Sequence, residues 1–221
     1  VAQPVRVQIE SGKKKRSVAS AFDWPGWDRW AKTEDAAFAV LETYRPRYAK
    51  VAELAGYGDV FAAAGPLEVF ARVPGTGMTD FYGTPCVAAA PEYEPMSAEE
   101  LDRKTGLLRA CWAYFDSVAD GVTELRLGPR GGGRDRNRLR RHANGAEIDE
   151  WAPKADVKVP LETRDDPVAL NTYRDQFIAA IREHSEAGEP ARNWQVSFLI
   201  RRSCYHMLDH AWEMEDRSIP A

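Results

Sequence analysis

The stretch HMLDH (206–210) places two histidines four residues apart. On a helix, residues i and i+4 lie one above the other on one face. His206 and His210 therefore project together and can grip one divalent ion from a single helical turn. Glu213, three residues further on, shares that side. Its carboxylate can ligate, accept a hydrogen bond from an imidazole N–H, or pair with Arg217 or Arg202. Asp209 adjoins the pair in sequence but points about 100° away from His210 on an ideal helix. It is expected on the surface or as an outer hydrogen-bond partner of the site. A third ligand has to come from another helix. His142 is the best placed, because it sits in the apolar stripe formed by Leu139, Ala143 and Ala146 and should point inward. Three neutral imidazoles suit zinc, nickel, iron or copper, and three protein ligands leave coordination positions open, as catalytic sites do. Spacing alone also admits a simpler reading, in which these histidines are surface or hydrogen-bonded core residues. The motif is not HExxH, since Met207 stands in the place of the glutamate, so metalloprotease chemistry is excluded.

A second candidate is the run GPRGGGRDRNRLRR. Seven arginines lie between Arg126 and Arg141, against the single acid Asp135. A glycine-rich turn feeding a helix N-terminus can bind an anion, with Arg134 and Arg138 as the residues that would hold a substrate carboxylate, but this reading ranks second. The alternative is a solvated helix start paired with the acids of the last helix, Asp209, Glu213, Glu215 and Asp216. The run lacks GK[ST], so it is not a Walker A loop. It also lacks interleaved aromatics, which speaks against RNA binding.

The elements that position these residues are readable in outline. VRVQI (5–9) alternates as a half-buried strand does, and RSVASAF (16–22) completes a hairpin over the polar tip SGKKKR. DWPGWDRW (23–30) reads as a turn crowded with tryptophans that pack between the two halves of the chain. Thr33 is expected to cap a helix that Pro46 kinks or splits, and LEVFARV (67–73) reads as a third strand. Residues 74–96 are rich in proline and glycine and read as a linker without regular structure. Beyond them, Ser97 with Glu100 opens a first long helix. A second runs from about Arg134 to Trp151. A third starts at Asp166 and Pro167, and a fourth runs from about Ala191 to Arg217. His184, near the end of the third helix, is expected at its surface. The domains expected are an α+β module at 1–73, the linker at 74–96 and an all-α four-helix bundle at 97–221.

Bulk properties narrow the function classes. A net charge of -4 over 221 residues favours neither nucleic acid nor membrane as a partner. No window approaches the roughly 20 apolar residues of a membrane span, and VAQPVRVQIE lacks the layout of a signal peptide. Cys86, Cys111 and Cys204 are an odd, scattered set, which fits reduced thiols in a cytoplasmic protein. Cys204 adjoins the histidines and is expected as a buried small hydrophobe.

Two resemblances sharpen these readings. YHMLDHAWEMEDR (205–217) and GPRGGGRDRNRLRRHANGAE (128–147) resemble the DinB/YfiT-like superfamily of four-helix-bundle metalloenzymes, over about the last 120 residues. The resemblance implies a divalent metal, zinc, nickel or iron, on His142, His206 and His210. It implies a thiol-dependent S-transferase or isomerase acting on a small electrophilic substrate with a low-molecular-weight thiol such as mycothiol. It also implies pairing as a homodimer. The alternatives are a metal-dependent hydrolase and a non-catalytic metal-binding or stress protein whose N-terminal module binds a partner. VRVQI followed by ASAFDWPGWDRWAKTEDAAFAVL resembles the HicB-like α/β module, with Trp27 where that family often has a cysteine. A structural or dimerising role is expected of it, because no DNA-binding segment accompanies it.

Overall fold

A computed structural model describes residues 2–127 and 133–219. The fold is mixed, with strands in the first half of the chain and helices mostly in the second. Strand β1 (Val5–Ser11) pairs antiparallel with β2 (Ser17–Ala21), which pairs antiparallel with β3 (Asp28–Ala31). Helices α1 (Glu34–Thr43), α2 (Arg45–Leu54) and α3 (Gly58–Ala62) then carry the chain across to β4 (Leu67–Pro74). That strand joins β1 in parallel, giving the order β3-β2-β1-β4. Thr33 caps α1 by accepting from the Ala36 N–H, and the break between α1 and α2 falls just before Pro46, as a residue without an amide proton requires. β3 and α3 were not expected. DRWA is too short to show a period and forms a strand because β2 supplies its hydrogen bonds.

β1 was expected to bury one face only. Gln8 and Glu10, on its polar face, are as buried as Val7 and Ile9 on the other. The reason lies in 74–96, which is not the irregular linker expected. It contains α4 (Gly77–Tyr82) and a 3-10 turn at Ala90–Tyr93, and it covers that face. The Glu10 carboxylate accepts from the Thr79 hydroxyl and from the amides of Cys86 (2.8 Å) and Val87 (2.9 Å), while Gln8 donates to the Val87 carbonyl at 3.0 Å. Buried polar groups need such partners. At the hairpin tip Lys13 to Lys15 are exposed, and Asp80 of α4 accepts from the amides of Lys14 and Lys15.

In the second half, Ser97 caps α5 (Ala98–Gly121) and Asp166 caps α7 (Pro167–Glu186), as expected. α6 (Arg136–Ala146) stops short of its expected end. A π-helical turn at Glu147–Trp151 and a 3-10 turn at Ala152–Ala155 follow it. α8 (Val196–Arg217) packs along α5 and also faces the sheet. Trp24 and Trp27 are buried, while Trp30 is 38% exposed. Gly26 has φ +92°, and a Cβ there would lie 2.9 Å from the Cys204 Cβ. Only glycine meets both demands, and it lets the tryptophan turn lie directly on α8. The buried apolar residues form one continuous cluster from Val5 to Met214. Among the described residues the three cysteines are free, and no helix is long and apolar enough to cross a membrane.

Candidate metal centre

α8 lies between the sheet and the other long helices, so most of its faces are buried despite its charge. A helix in that position keeps charged residues only where they find partners. Asp209, weighed above as an outer partner of the site, accepts instead from Arg29 at 2.5 Å. Asp216 binds Arg47, and Glu215 accepts from Tyr114 at 2.6 Å. The arginines of α6 do not pair with these acids as expected. Arg140 reaches Asp120 of α5, Arg141 reaches Asp165, and Arg136 donates to the Val122 carbonyl. Arg138 lies in solvent beside Asp135. The glycine-rich turn at 128–132 lies outside the described residues.

His142 from α6 and His206 and His210 from α8 come together, with a ligand nitrogen of each within 4.8 Å of the others. The Nε2 atoms of His206 and His210 are 3.2 Å apart. A tetrahedral ion about 2.1 Å from each ligand separates two nitrogens by roughly 3.4 Å, so this pair is already at chelating distance. The ring of His142 lies 5.3 Å from that of His206 and 5.0 Å from that of His210, centre to centre. Trp151, at the end of the π-helical turn, closes one side with its ring 4.6 Å from His206.

The surroundings of His142 and His206 favour the neutral imidazole, the form that binds metal. Burial, followed by the neighbouring His210 and Arg134, pushes His142 down to about 4. Burial, then His210, Arg202 and His142, pushes His206 well below its ordinary value. Glu213 accepts from Nδ1 of His210 at 3.1 Å. A carboxylate only accepts, so the proton of His210 sits on Nδ1 and the Nε2 lone pair faces the centre. Burial alone would raise Glu213, but His210 and Arg217 outweigh it and keep the group anionic. Arg217 donates to Glu213 at 2.5 Å and to the Arg134 carbonyl at 2.9 Å, tying α8 to the start of α6. The donor set therefore fits a borderline divalent ion, with three nitrogens, one of them oriented by a carboxylate.

His184 lies elsewhere, 3.6 Å from Asp156. Cys204 is buried, and burial together with Cys111 raises its thiol well above the ordinary value, so it is inert. Trp151 escaped the reading of the sequence as a neighbour of the site, and of the two arginines weighed as partners of Glu213 it is Arg217, not Arg202, that pairs with it. No family model, curated protein or solved structure matches the chain.

Proposed function

We propose that α5 to α8 form a DinB-like four-helix bundle in which His142, His206 and His210 hold one divalent metal, zinc, nickel or iron. The protein is then a metal-dependent enzyme, a thiol S-transferase or isomerase acting on a small electrophile. The observation that carries this reading is the convergence of three imidazoles from two helices, at the spacing the family resemblance implies. When bound, the metal supplies Lewis acidity that lowers the pKa of a thiol or water at its open positions. The chain's own residues do the rest. Glu213 orients the His210 ring, Trp151 screens the centre from solvent on one side, and Arg134 adds positive charge close to His142 and His206. The low-molecular-weight thiol is of the mycothiol type. The HicB-like sheet serves as a structural module, since its polar face is already covered by 74–96 and by Arg201 of α8.

The test is metal content by elemental mass spectrometry after reconstitution with zinc, nickel and iron. The wild type should hold close to one ion per chain, and both His142→Ala and His206→Ala should lose it. Wild-type protein that stays metal-free sinks the proposal. Turnover that proceeds without any thiol moves the assignment to a metal-dependent hydrolase.

A further inference from the structure

A cleft of about 420 Å³ opens beside the histidine centre. Trp151 forms the wall it shares with His206, and Trp194 and Phe198 lie within it with ring centres 4.9 Å apart. Arg202 lines it from α8. This arginine is only 9% exposed, and its Nη1 is buried without a hydrogen-bond partner. Among the described residues no carboxylate lies within ion-pair distance of its guanidinium, whose neighbours are the rings of Trp151 (5.8 Å) and Tyr205 (5.3 Å). A buried, unpaired cation is costly. Burial weakens the hold of Arg202 on its own proton and the neighbouring Arg201 adds to this, while Cys86, Tyr205 and the buried Asp28, which lies beyond ion-pair distance, act against it. Lys154 also lines the cleft, its Nζ 5.3 Å from the centre of the Trp194 ring and 3.4 Å from Asn193 Oδ1. The one carboxylate on the lining, Glu150, is exposed. The cleft thus carries two cations against one acid.

We infer that this cleft binds the carboxylate end of a flat, aromatic or otherwise unsaturated small molecule, with Arg202 as the anion's partner and Trp151, Trp194 and Phe198 packing against its apolar body. A guanidinium fork matches a carboxylate edge to edge. A single negative charge balances Arg202, while Glu150 offsets Lys154. A phosphate dianion would leave excess charge and more acceptors than this lining can satisfy. Arg202 precedes His206 by one turn and the Trp151 ring lies against both, so a molecule anchored at Arg202 is separated from the histidine centre by that ring. That the bound molecule is the substrate rests on the proposed function; that it binds does not.

The experiment titrates cinnamate into the full chain stripped of metal, followed by tryptophan fluorescence and calorimetry, with phenyl phosphate and inorganic phosphate in parallel. Cinnamate should bind the wild type, and Arg202→Met should weaken it by about tenfold or more, as expected for a charge-assisted hydrogen bond. The same variant should melt no lower than wild type, because it removes an unpaired buried charge, and should keep wild-type metal content on reconstitution. Trp194→Ala, on a partly exposed wall, should weaken cinnamate binding by a smaller factor, and it carries the test if Arg202→Met does not fold. Equal cinnamate affinity in the variant that tests the cleft overturns the inference. So does a wild type that binds no cinnamate, or one that prefers phenyl phosphate. Because binding is read without metal, an empty histidine centre and an empty cleft give different results.

Discussion

Arg201 and Arg202 are neighbours on α8 and both are buried, yet the molecule treats them in opposite ways. Arg201 meets Glu92 edge to edge, with Nε to Oε1 at 3.0 Å and Nη2 to Oε2 at 2.8 Å, and it also donates to the Val87 carbonyl. Glu92 in turn accepts from the Ala89 amide at 2.7 Å. One turn further along, the nitrogens of His206 and His210 face each other and His142, and Nδ1 of His206 has no partner. Arg201 has complete bonds and pins 74–96 and the sheet to α8, while Arg202 Nη1 and Ser203 Oγ beside it lack partners. The upper turn leaves donors and acceptors for something the chain does not contain. A buried charge that is fully paired is structural, and convergent groups left unpaired leave room for a ligand.

The sharpest way to break this comparison is to unpair Arg201. Glu92→Ala takes away its two-point partner and leaves only Asp28, 3.8 Å away, as counter-charge, at a cost of about 3 kcal/mol. The denaturation midpoint should fall steeply, while the folded fraction should still bind metal at wild-type stoichiometry. A loss of metal with little loss of stability would mean that the two turns are not separate in role.

Much of the pairing, though not its consequences, could be read from the sequence. The i, i+4 spacing brought His206 and His210 together because a helix fixes it, and the interrupted apolar stripe placed His142 inward. Ser97, Thr33 and Asp166 announced their helices because capping is local. Arg202 could not be found in this way. Its burial depends on Trp151, which a π-helical turn delivers, and on the absence of an acid that sequence proximity to Asp209 and Glu213 would suggest. Gln8 and Glu10 looked solvent-facing for a similar reason, since what covers them lies some 70 residues further along and reads as an irregular linker.

Buried acids extend the comparison to pH. Asp28 lies 3.8 Å from Arg201, and burial raises it to about 6 even though Arg201 and Ser20 oppose the rise. Glu147 accepts from Trp112 Nε1 at 2.8 Å but has its other oxygen unpartnered, and burial raises it to about 7 against the pull of Arg174. The folded Glu147 keeps its proton until about pH 7, and the unfolded one releases it near 4.5. The native state therefore binds the extra proton between those values, and stability falls as pH rises through that window. Glu147→Gln should remove a pH-dependent change on the order of 3 kcal/mol between pH 4.5 and 8. Asp28, whose window ends near pH 6, should leave a smaller change of the same sign. Denaturant unfolding at pH 5 and pH 8 checks this, and parallel stability profiles for wild type and variant would contradict it.

The finest test concerns the carboxylate that belongs to both regimes. Glu213 is paired with Arg217 like a structural residue, yet its other oxygen accepts from Nδ1 of His210. Glu213→Gln keeps the shape but turns one acceptor oxygen into an NH2 donor, so it can still accept from Arg217 but no longer from Nδ1 of His210, and it removes the charge that makes His210 a stronger donor of electrons to a metal. Such outer partners are worth about 10- to 100-fold in metal affinity. The variant should therefore fold with near wild-type stability and bind zinc that much more weakly in competition with a chelator. Unchanged affinity would assign Glu213 to Arg217 alone, as a strut between α8 and the start of α6. A matching drop in stability without metal would show that the strut and the ligand-orienting bond cannot be separated.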